Sequence, residues 1–243
     1  MTDGLDLAEV ERIVYTALAE DLGDPPRDVT SEATIAAGQL DTADLVARAD
    51  GVVAGLPVAA QVFAATSGGM TTFDQRVNEG DRVQRGDVLA VISGPTQALL
   101  TAERTALNLL SRMSGVATHT RRWADALSGT KATVLDTRKT TPGLRVLEKY
   151  AVRAGGGTNK RMGLYDVAMI KDNHKLAAGS ITAAYRLVRS TFPDVPVQVE
   201  VTTLAEAREA VGAGATFLLC DNMRPELLRE VVAAVGDRAE LEA

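Results

Sequence analysis

The feature that most constrains the fold is the alternation, after residue 129, of short apolar runs with longer stretches of helical period. The apolar runs are KATVLDTR, DVAMIKD, PVQVEV and ATFLLCDN, and the helical stretches are GLRVLEKYAVRA, SITAAYRLVRS, TLAEAREAVGA and PELLREVVAAVG. Strands separated by helices pair in parallel, because each crossover helix returns the chain to the same end of the sheet. The pattern therefore predicts an α/β barrel or an open, doubly wound sheet.

Local signals predict where two of these helices begin and end. Thr141 followed by Pro142 is typical of an N-cap with a first-turn proline, and Gly155 is typical of a helix end. Thr203 and Glu206 have the spacing of a capping box at the start of a later helix.

The first half of the chain follows a different pattern. Residues 5–20 carry apolar side chains three or four positions apart, which predicts an amphipathic helix that ends at Gly23. Residues 40–92 hold short alternating or apolar runs separated by glycines, which predicts strands. Residues 96–129 have helical period, so we expect helices and strands in the first half to precede a parallel α/β region.

The charge distribution indicates a local site for a small polyanion. The chain carries a net charge of −6, yet every lysine lies between Lys131 and Lys175. This segment contains ten Lys and Arg residues but only four Asp and Glu residues. Nucleic acid would need a broader basic surface, because duplex binding neutralises many phosphates along an extended face. We therefore expect small anionic substrates and no nucleic-acid partner.

Other sequence features favour a cytoplasmic protein. No apolar run approaches the ~18 to 20 residues that a membrane helix needs, and the acidic N-terminus lacks the basic start of a signal peptide. Cys220 is the only cysteine, which excludes an internal disulfide framework. We expect Cys220 to be buried in a strand, because free cysteine behaves as a small hydrophobe.

Charged residues follow each of the four predicted strands. Arg138 and Lys139 follow the first strand, Lys171 follows the second, Glu200 lies near the end of the third, and Asp221 follows the fourth. In parallel α/β folds the carboxyl ends of the strands meet at one mouth, where functional groups collect. The sequence therefore predicts a site with cations and carboxylates at this end of the sheet.

A glycine-rich loop adds two more cations to the predicted site. Lys160 and Arg161 follow the run Gly155, Gly156 and Gly157, and glycine admits backbone geometries that let a loop approach a ligand closely. Arginine and lysine suit carboxylate or phosphate oxygens, while two carboxylates suit ribose hydroxyls or Mg²⁺ that accompanies substrate phosphates. Spacing alone does not identify the reaction.

The central motif identifies a family. DTRKTTPGLRVLEKYAVRAGGG followed by NKRMGLYDVAMIKDNH closely resembles the signature of the quinolinate phosphoribosyltransferases, and the resemblance extends through LLTAERTALNLLSRMSGVAT, EDLGDPPRDVTSEATI, VEV and LLCDN. It implies a pentosyltransferase of de novo NAD synthesis. Such an enzyme joins quinolinate to 5-phosphoribosyl-1-pyrophosphate with Mg²⁺, and it produces nicotinate mononucleotide, pyrophosphate and CO₂.

The resemblance also implies an architecture and an assembly. The expected fold is an N-terminal α/β sandwich over residues 1–112, followed by an incomplete α/β barrel over residues 113–243. We expect a homodimer or a dimer-based hexamer, in which the N-terminal domain of one subunit covers the barrel mouth of the other. The family continues beyond the position of Ala243 with a strand and a glycine-rich phosphate loop, so the chain is expected to be truncated at its C-terminus.

By motif position, one group of residues is implied to bind quinolinate. Arg104 would reach quinolinate across the subunit interface, and Thr137 would contribute to substrate binding. Arg138, Lys160 and Arg161 would bind the two carboxylates of quinolinate. Family members commonly have histidine where this chain has Lys160, and lysine keeps a positive charge but loses the planar ring.

A second group is implied to act around the phosphoribosyl group. Lys139 and Lys171 would lie between quinolinate and the phosphoribosyl group, with catalytic roles. Glu200 and Asp221 would hold ribose hydroxyls and the Mg²⁺ ion. Two alternatives stay open: a paralogue of the same fold that acts on another acid, such as the molybdenum-transport-associated type, or a non-catalytic truncated subunit.

Overall fold

The computed structural model describes residues 4–243 and divides the chain into two compact units, Met1–Lys160 and Arg161–Ala243. The predicted α/β fold class is confirmed, since helices packed on antiparallel strands form the first unit and a parallel sheet forms the second. The predicted domain boundary between residues 112 and 113 lies within a long helix and stays a prediction. None of the helices within residues 4–243 is both long and apolar enough to cross a membrane.

The first unit contains α1 (Leu7–Leu22), α2 (Val29–Thr34), β1 (Leu40–Val46), β2 (Gly51–Val52), α3 (Leu56–Ser67), β3 (Thr72–Gln75), β4 (Arg82–Val83), β5 (Val88–Pro95), α4 (Thr96–Ala126) and α5 (Arg145–Ala154). One antiparallel sheet has the order β1-β5-β3, and β2 pairs antiparallel with β4. The predicted first helix is confirmed: the Asp6 carboxylate caps its first turn, and it ends at Gly23. An apolar core unites α1, α3, α4 and α5 with these strands.

A glycine allows two core helices of this unit to approach closely. Gly55 precedes α3 with a φ of 108°, and a Cβ at this position would lie 2.7 Å from the sulfur of Met113 in α4. The carboxylate of Glu79 accepts hydrogen bonds from the backbone N–H groups of Gly55 and Leu56, both at 2.8 Å, and so caps the start of α3. Gly55 therefore lets the capped start of α3 pack directly against α4 in the core of the first unit.

Two local predictions in the first unit are wrong in detail. The run KATVLDTR does not form a strand, and its pairing consists of an isolated parallel bridge between Leu135 and Thr158. Thr141 does not cap α5, which begins at Arg145 after Leu144. The Thr141 hydroxyl instead donates to the Glu148 carboxylate at 2.7 Å, so this side chain is engaged with the body of the helix.

The second unit contains β6 (Ala168–Ile170), α6 (Asp172–Ala178), α7 (Ile181–Thr191), β7 (Val197–Val201), α8 (Leu204–Gly212), β8 (Phe217–Cys220), α9 (Pro225–Val235) and β9 (Glu240–Glu242). Its sheet is parallel throughout, with the order β6-β7-β8-β9. Every residue of β7 is buried, and its valines pack with Leu218, Val231 and Val235. Cys220 is buried at the end of β8, as predicted.

Candidate functional site

Four predicted site residues of the first unit lie next to a bridge between two backbone segments. The parallel bridge between Leu135 and Thr158 joins the segments, with the N–H of Thr158 donating to the carbonyl of Val134 at 2.8 Å. Beyond the bridge one segment continues as residues 137–139 and the other as residues 158–160. The predicted residues Thr137, Arg138, Lys139 and Lys160 are therefore brought to the same part of the first unit.

Arg138 has an unused hydrogen-bond donor. Its side chain is half-buried, and its Nε is buried without a hydrogen-bond partner among residues 4–243. A buried polar group without a partner costs free energy, whereas a guanidinium can bind a carboxylate with two parallel hydrogen bonds. An anionic ligand at this position would satisfy the donor. Beside it, the N–H of Lys139 donates to the Thr137 hydroxyl at 3.0 Å, while the Lys139 side chain is exposed.

A buried ion pair that the sequence analysis missed is hydrogen-bonded to one of these residues, Lys160. The Lys149 ammonium, 1% exposed, lies 2.5 Å from Oδ1 of Asp136. The same Oδ1 accepts from the N–H of Lys160 at 2.9 Å, and Oδ2 accepts from the Asn159 amide at 2.6 Å. The available signal was that Asp136 and Lys149 both lie within the recognised motif; their pairing depends on the fold.

A second carboxylate holds the segment that follows the site cations. Glu148 accepts two hydrogen bonds from the Arg112 guanidinium, at 2.9 and 2.7 Å. It also accepts from the N–H and hydroxyl of Thr141, at 3.1 and 2.7 Å. Burial acts to raise the pKa of Glu148, but the hydrogen bonds from Thr141 and Arg112 outweigh it and hold this pKa below its usual value. Glu148 thus ties α4 and α5 to the segment after Lys139.

Arg104 projects from α4 as an exposed side chain. Within residues 4–243 the structure gives it no hydrogen bond or ion pair. Its guanidinium is therefore available to an external ligand or to another subunit, which agrees with the expected role without testing it.

In the second unit, Lys171 and Glu200 form an ion pair at the carboxyl ends of neighbouring strands. Lys171 directly follows β6 and Glu200 lies in β7, with a distance of 3.2 Å from Nζ to Oε2. The Glu200 side chain is 10% exposed and the Lys171 side chain 53% exposed. The prediction that these strands bring their charged residues to one edge is confirmed by this pair.

Lys175, to which the sequence analysis gave no role, is hydrogen-bonded to the backbone of Glu200. Its ammonium lies 2.8 Å from Asp172 and 2.9 Å from Glu206, and it donates to the backbone carbonyl of Glu200 at 3.3 Å. Burial acts to lower the pKa of Lys175, but the hydrogen bonds to Asp172 and Glu206 outweigh it and raise this pKa. Lys175 therefore links the end of β7 to α6 and α8.

Arg161 is buried at the start of the second unit and donates from Nε to the Gly163 carbonyl at 2.7 Å. The turn that follows is closed by Asp166, which accepts from the N–H groups of Met162 and Gly163. Burial acts to raise the pKa of Asp166, but these backbone hydrogen bonds outweigh it and lower the pKa. The guanidinium of Arg161 is thus held by a structured turn.

Asp221 is exposed directly after β8, on the strand next to that of Glu200. Its N–H donates to the Val201 carbonyl at 3.0 Å, which continues the parallel ladder, and Asn222 then turns the chain with a φ of 51°. No cluster of three or more His, Cys, Asp or Glu residues able to hold a metal occurs within the described part of the chain. The carboxylates of Glu200 and Asp221 still suit Mg²⁺, because this ion usually keeps several waters and binds substrate phosphates beside one or two carboxylates.

Solved structures identify the class of protein that has this fold. The crystal structure of NadC from Streptococcus pyogenes matches with a TM-score of 0.92 and 38% identity, over 98% of this chain and 83% of that one. A nicotinate-nucleotide pyrophosphorylase from Francisella tularensis matches with a TM-score of 0.90 and 33% identity, over 96% of this chain and 82% of that one. The chain therefore has the architecture of the nicotinate-nucleotide pyrophosphorylase structures.

Sequence comparison then gives the particular family. Residues 28–114 match the N-terminal domain, and residues 116–243 the C-terminal domain, of the family described as quinolinate phosphoribosyl transferase. The carboxylating nicotinate-nucleotide pyrophosphorylase of Mycobacterium leprae is 47% identical over 197 residues, which cover 80% of this chain and 69% of that protein. A probable enzyme of the same name from Bacillus subtilis is 39% identical over 236 residues, covering 97% and 80%. This chain belongs to the quinolinate phosphoribosyltransferase family, as predicted.

Proposed function

We propose that this protein transfers the phosphoribosyl group of 5-phosphoribosyl-1-pyrophosphate to the ring nitrogen of quinolinate, in de novo NAD synthesis. The products are nicotinate mononucleotide, pyrophosphate and CO₂. The names of the relatives support this reaction over transfer to another acid. The observation that carries the proposal is the unpartnered, buried Nε of Arg138 in a segment of cations.

Quinolinate carries two carboxylates, and the proposed ligands for them are Arg138, Lys160 and Arg161. Arg138 offers a free donor, while the backbone of Lys160 and the side chain of Arg161 are each held by hydrogen bonds to nearby residues. Fixed cations bind a rigid dianion at a lower entropic cost than mobile side chains do. Lys160 supplies charge without the ring of a histidine.

The proposed roles around the phosphoribosyl group fall to Lys139, Lys171, Glu200 and Asp221. As the bond from ribose C1 to pyrophosphate breaks, C1 gains oxocarbenium character and forms a bond to the ring nitrogen. Lys139 and Lys171 would stabilise the negative charge that moves onto the leaving pyrophosphate. Glu200 and Asp221 would bind ribose hydroxyls and orient C1, and Glu200 is held for this by Lys171 and Lys175.

Decarboxylation follows on the alkylated ring. The bond to the carboxylate next to the ring nitrogen breaks, its electron pair stays on the ring carbon beside the positive nitrogen, and a proton from solvent then replaces the CO₂. The residues named here need supply no strong acid or base at this step. In the preceding transfer, orientation of quinolinate against ribose C1 is worth roughly 7 to 11 kcal/mol for well-positioned reactants.

Glu200 and Asp221 are also the proposed ligands for Mg²⁺. Bound there with the substrate, Mg²⁺ would neutralise charge on the pyrophosphate oxygens. Both residues offer carboxylate oxygens at the ends of adjacent strands, which is the donor type that Mg²⁺ prefers. We further propose that the protein acts in the cytoplasm, in keeping with its single, unpaired cysteine.

The reaction is tested by quinolinate-dependent release of pyrophosphate from phosphoribosyl pyrophosphate, with Mg²⁺, using the purified 243-residue chain. Nicotinate is added as a competing acid to separate quinolinate transfer from a reaction on another acid. Turnover with quinolinate supports the proposal. Quinolinate binding without turnover by a folded chain would instead favour the non-catalytic subunit.

We also propose that the active form is a homodimer, or a dimer-based hexamer, in which Arg104 acts in the site of the other subunit. Its exposure on α4 without a partner among the described residues favours this role. Arg104→Ala and Lys139→Ala subunits should each be inactive alone. Mixed after dissociation, they should regain about one quarter of wild-type activity, because half of the random dimers contain one intact site. Failure to regain activity despite mixed-dimer formation would place Arg104 in its own subunit's site or in none.

A further inference from the structure

Asp136 directly follows the bridge that joins two proposed substrate-binding segments. Residues 137–139 follow it directly in the chain, and residues 158–160 reach it through two hydrogen bonds. The N–H of Lys160 donates to Oδ1 at 2.9 Å, and the Asn159 amide donates to Oδ2 at 2.6 Å. Asp136 is therefore continuous in the chain with one segment and hydrogen-bonded through its side chain to the other.

The backbone alone ties these segments together weakly. Their pairing is an isolated bridge, with one N–H to carbonyl bond of 2.8 Å from Thr158 to Val134 and a longer one of 3.2 Å from Asp136 to Thr158. Because no ladder continues beyond the bridge, the backbone does not fix the spacing of the residues that follow it. The side chain of Asp136 supplies additional ties at this position.

Lys149 fixes the carboxylate itself. Its ammonium, 1% exposed in α5, lies 2.5 Å from Oδ1, and its backbone carbonyl accepts from the Asn159 amide at 2.8 Å. A buried ion pair gives little net stability, because desolvation offsets the attraction between the charges. What the pair does supply is a single position for a carboxylate that holds residues 159 and 160 and belongs to the residue directly before 137–139.

We propose that Asp136, held by Lys149, is a positioning residue that sets the spacing between residues 137–139 and residues 158–160. It thereby sets the separation of Arg138 from Lys160, the two cations proposed to bind the carboxylates of quinolinate. This inference rests on the proposed function for its ligand. A rigid dicarboxylate requires a fixed separation of its two partners, and a misplacement of about 1 Å at such a site can cost about 100-fold.

The principal test is the double variant D136A/K149M, which removes both buried charges together and leaves neither one unpaired. The first readout is amide hydrogen exchange at residues 158–160 in the ligand-free protein. The second is the Kd for quinolinate, measured by titration calorimetry. We expect faster exchange of the Lys160 amide and a Kd weakened by about tenfold or more.

Two controls separate positioning from a general loss of stability. Val62→Ala truncates a buried side chain of α3, and it should lower the melting temperature without changing loop exchange or the quinolinate Kd. D136N/K149M keeps an amide oxygen that can accept from Lys160, and it should recover part of the affinity lost in D136A/K149M. A purely structural role predicts no such recovery at matched stability.

If D136A/K149M does not fold, N159A decides the matter. This variant keeps the ion pair and removes the hydrogen bonds of the Asn159 side chain to Oδ2 of Asp136, to the Lys149 carbonyl and from Arg153. We expect a smaller loss of affinity, about threefold, with faster exchange at residues 158–160. In folded D136A/K149M, or in folded N159A where that double variant does not fold, exchange at residues 158–160 within twofold of the wild type overturns the positioning role. If the wild type itself binds no quinolinate, the proposed function fails, while the exchange measurement still decides the role of Asp136.

Discussion

Replacing Glu148 by alanine tests how strongly the segment at Thr141 depends on a buried carboxylate. The Glu148 side chain is 7% exposed and accepts from Arg112 and from both donors of Thr141. Each hydrogen bond to a charged group contributes roughly 1.5 to 3 kcal/mol, and the two from Thr141 lose their acceptor in the variant. Arg112 is half-exposed, so its ion pair with Glu148 contributes about 0 to 1 kcal/mol to the free energy of unfolding.

Partial rehydration of Thr141 reduces this sum, so we expect Glu148→Ala to lower the free energy of unfolding by about 2 to 4 kcal/mol. For a chain of this size the corresponding fall in melting temperature is roughly 5 to 15 °C. The assay is urea unfolding at pH 7 followed by far-UV circular dichroism, with the midpoint and slope both fitted.

Asp74→Ala is the matched control. The Asp74 to Arg76 ion pair has the same 2.7 Å distance as that between Glu148 and Arg112, but both of its side chains are at least half-exposed. It should cost less than about 1 kcal/mol. Equal losses for the two variants would refute the argument that burial and the Thr141 hydrogen bonds make Glu148 important.

The effect of Glu148 should also depend on pH. Because its pKa is lowered in the folded state, its stabilising contribution is present above the unfolded pKa of about 4.3 and is lost as pH falls through the folded value. The difference between wild type and Glu148→Ala should therefore shrink on acidification below about pH 4. A difference that stays constant down to pH 2 would contradict the sign of this shift.

Four further outcomes are expected. Lys139→Ala should reduce kcat by about 100-fold or more with little change in melting temperature, and equal losses of activity and stability would contradict its catalytic role. Arg138→Ala should weaken quinolinate binding by about tenfold in a calorimetric titration, and an unchanged Kd would count against this pocket. Cys220 should react with a thiol reagent in urea but not in the folded protein, because burial raises its pKa and blocks access; rapid labelling without urea would disprove that burial. Lys175→Met should lower stability at pH 8, and this difference should fade as pH rises above about 10.4, since the raised pKa of Lys175 makes its contribution greatest when it is protonated.

Much of the second unit could be predicted from the sequence because its signals are local. Apolar runs and helical period identify β6, β7 and β8 and the helices α7, α8 and α9, although not the short α6, and parallel pairing follows from the crossovers. Once the strands are parallel, Lys171 and Glu200 must lie at the same edge, and the 3.2 Å ion pair confirms this. The motif also identified the family before any contact was known.

The tertiary structure decided what depends on residues that are far apart or that need a partner. KATVLDTR has strand propensity, yet a strand requires a continuous partner in register, and Thr158 provides a single bridge. Threonine is a residue type typical of N-caps, but the hydroxyl of Thr141 donates to the buried carboxylate of Glu148 and does not cap the helix.

The sequence by itself determined the fold class, the family and the residues that carry the charge, because propensity, periodicity and motif are properties of neighbouring positions. Only the tertiary structure showed that Asp136 and Lys149 form one buried pair and that Asp136 contacts Lys160. The sequence gives the charge of each residue, but burial and distance decide whether that charge contacts substrate, solvent or another side chain. Burial and distance are properties of the folded chain.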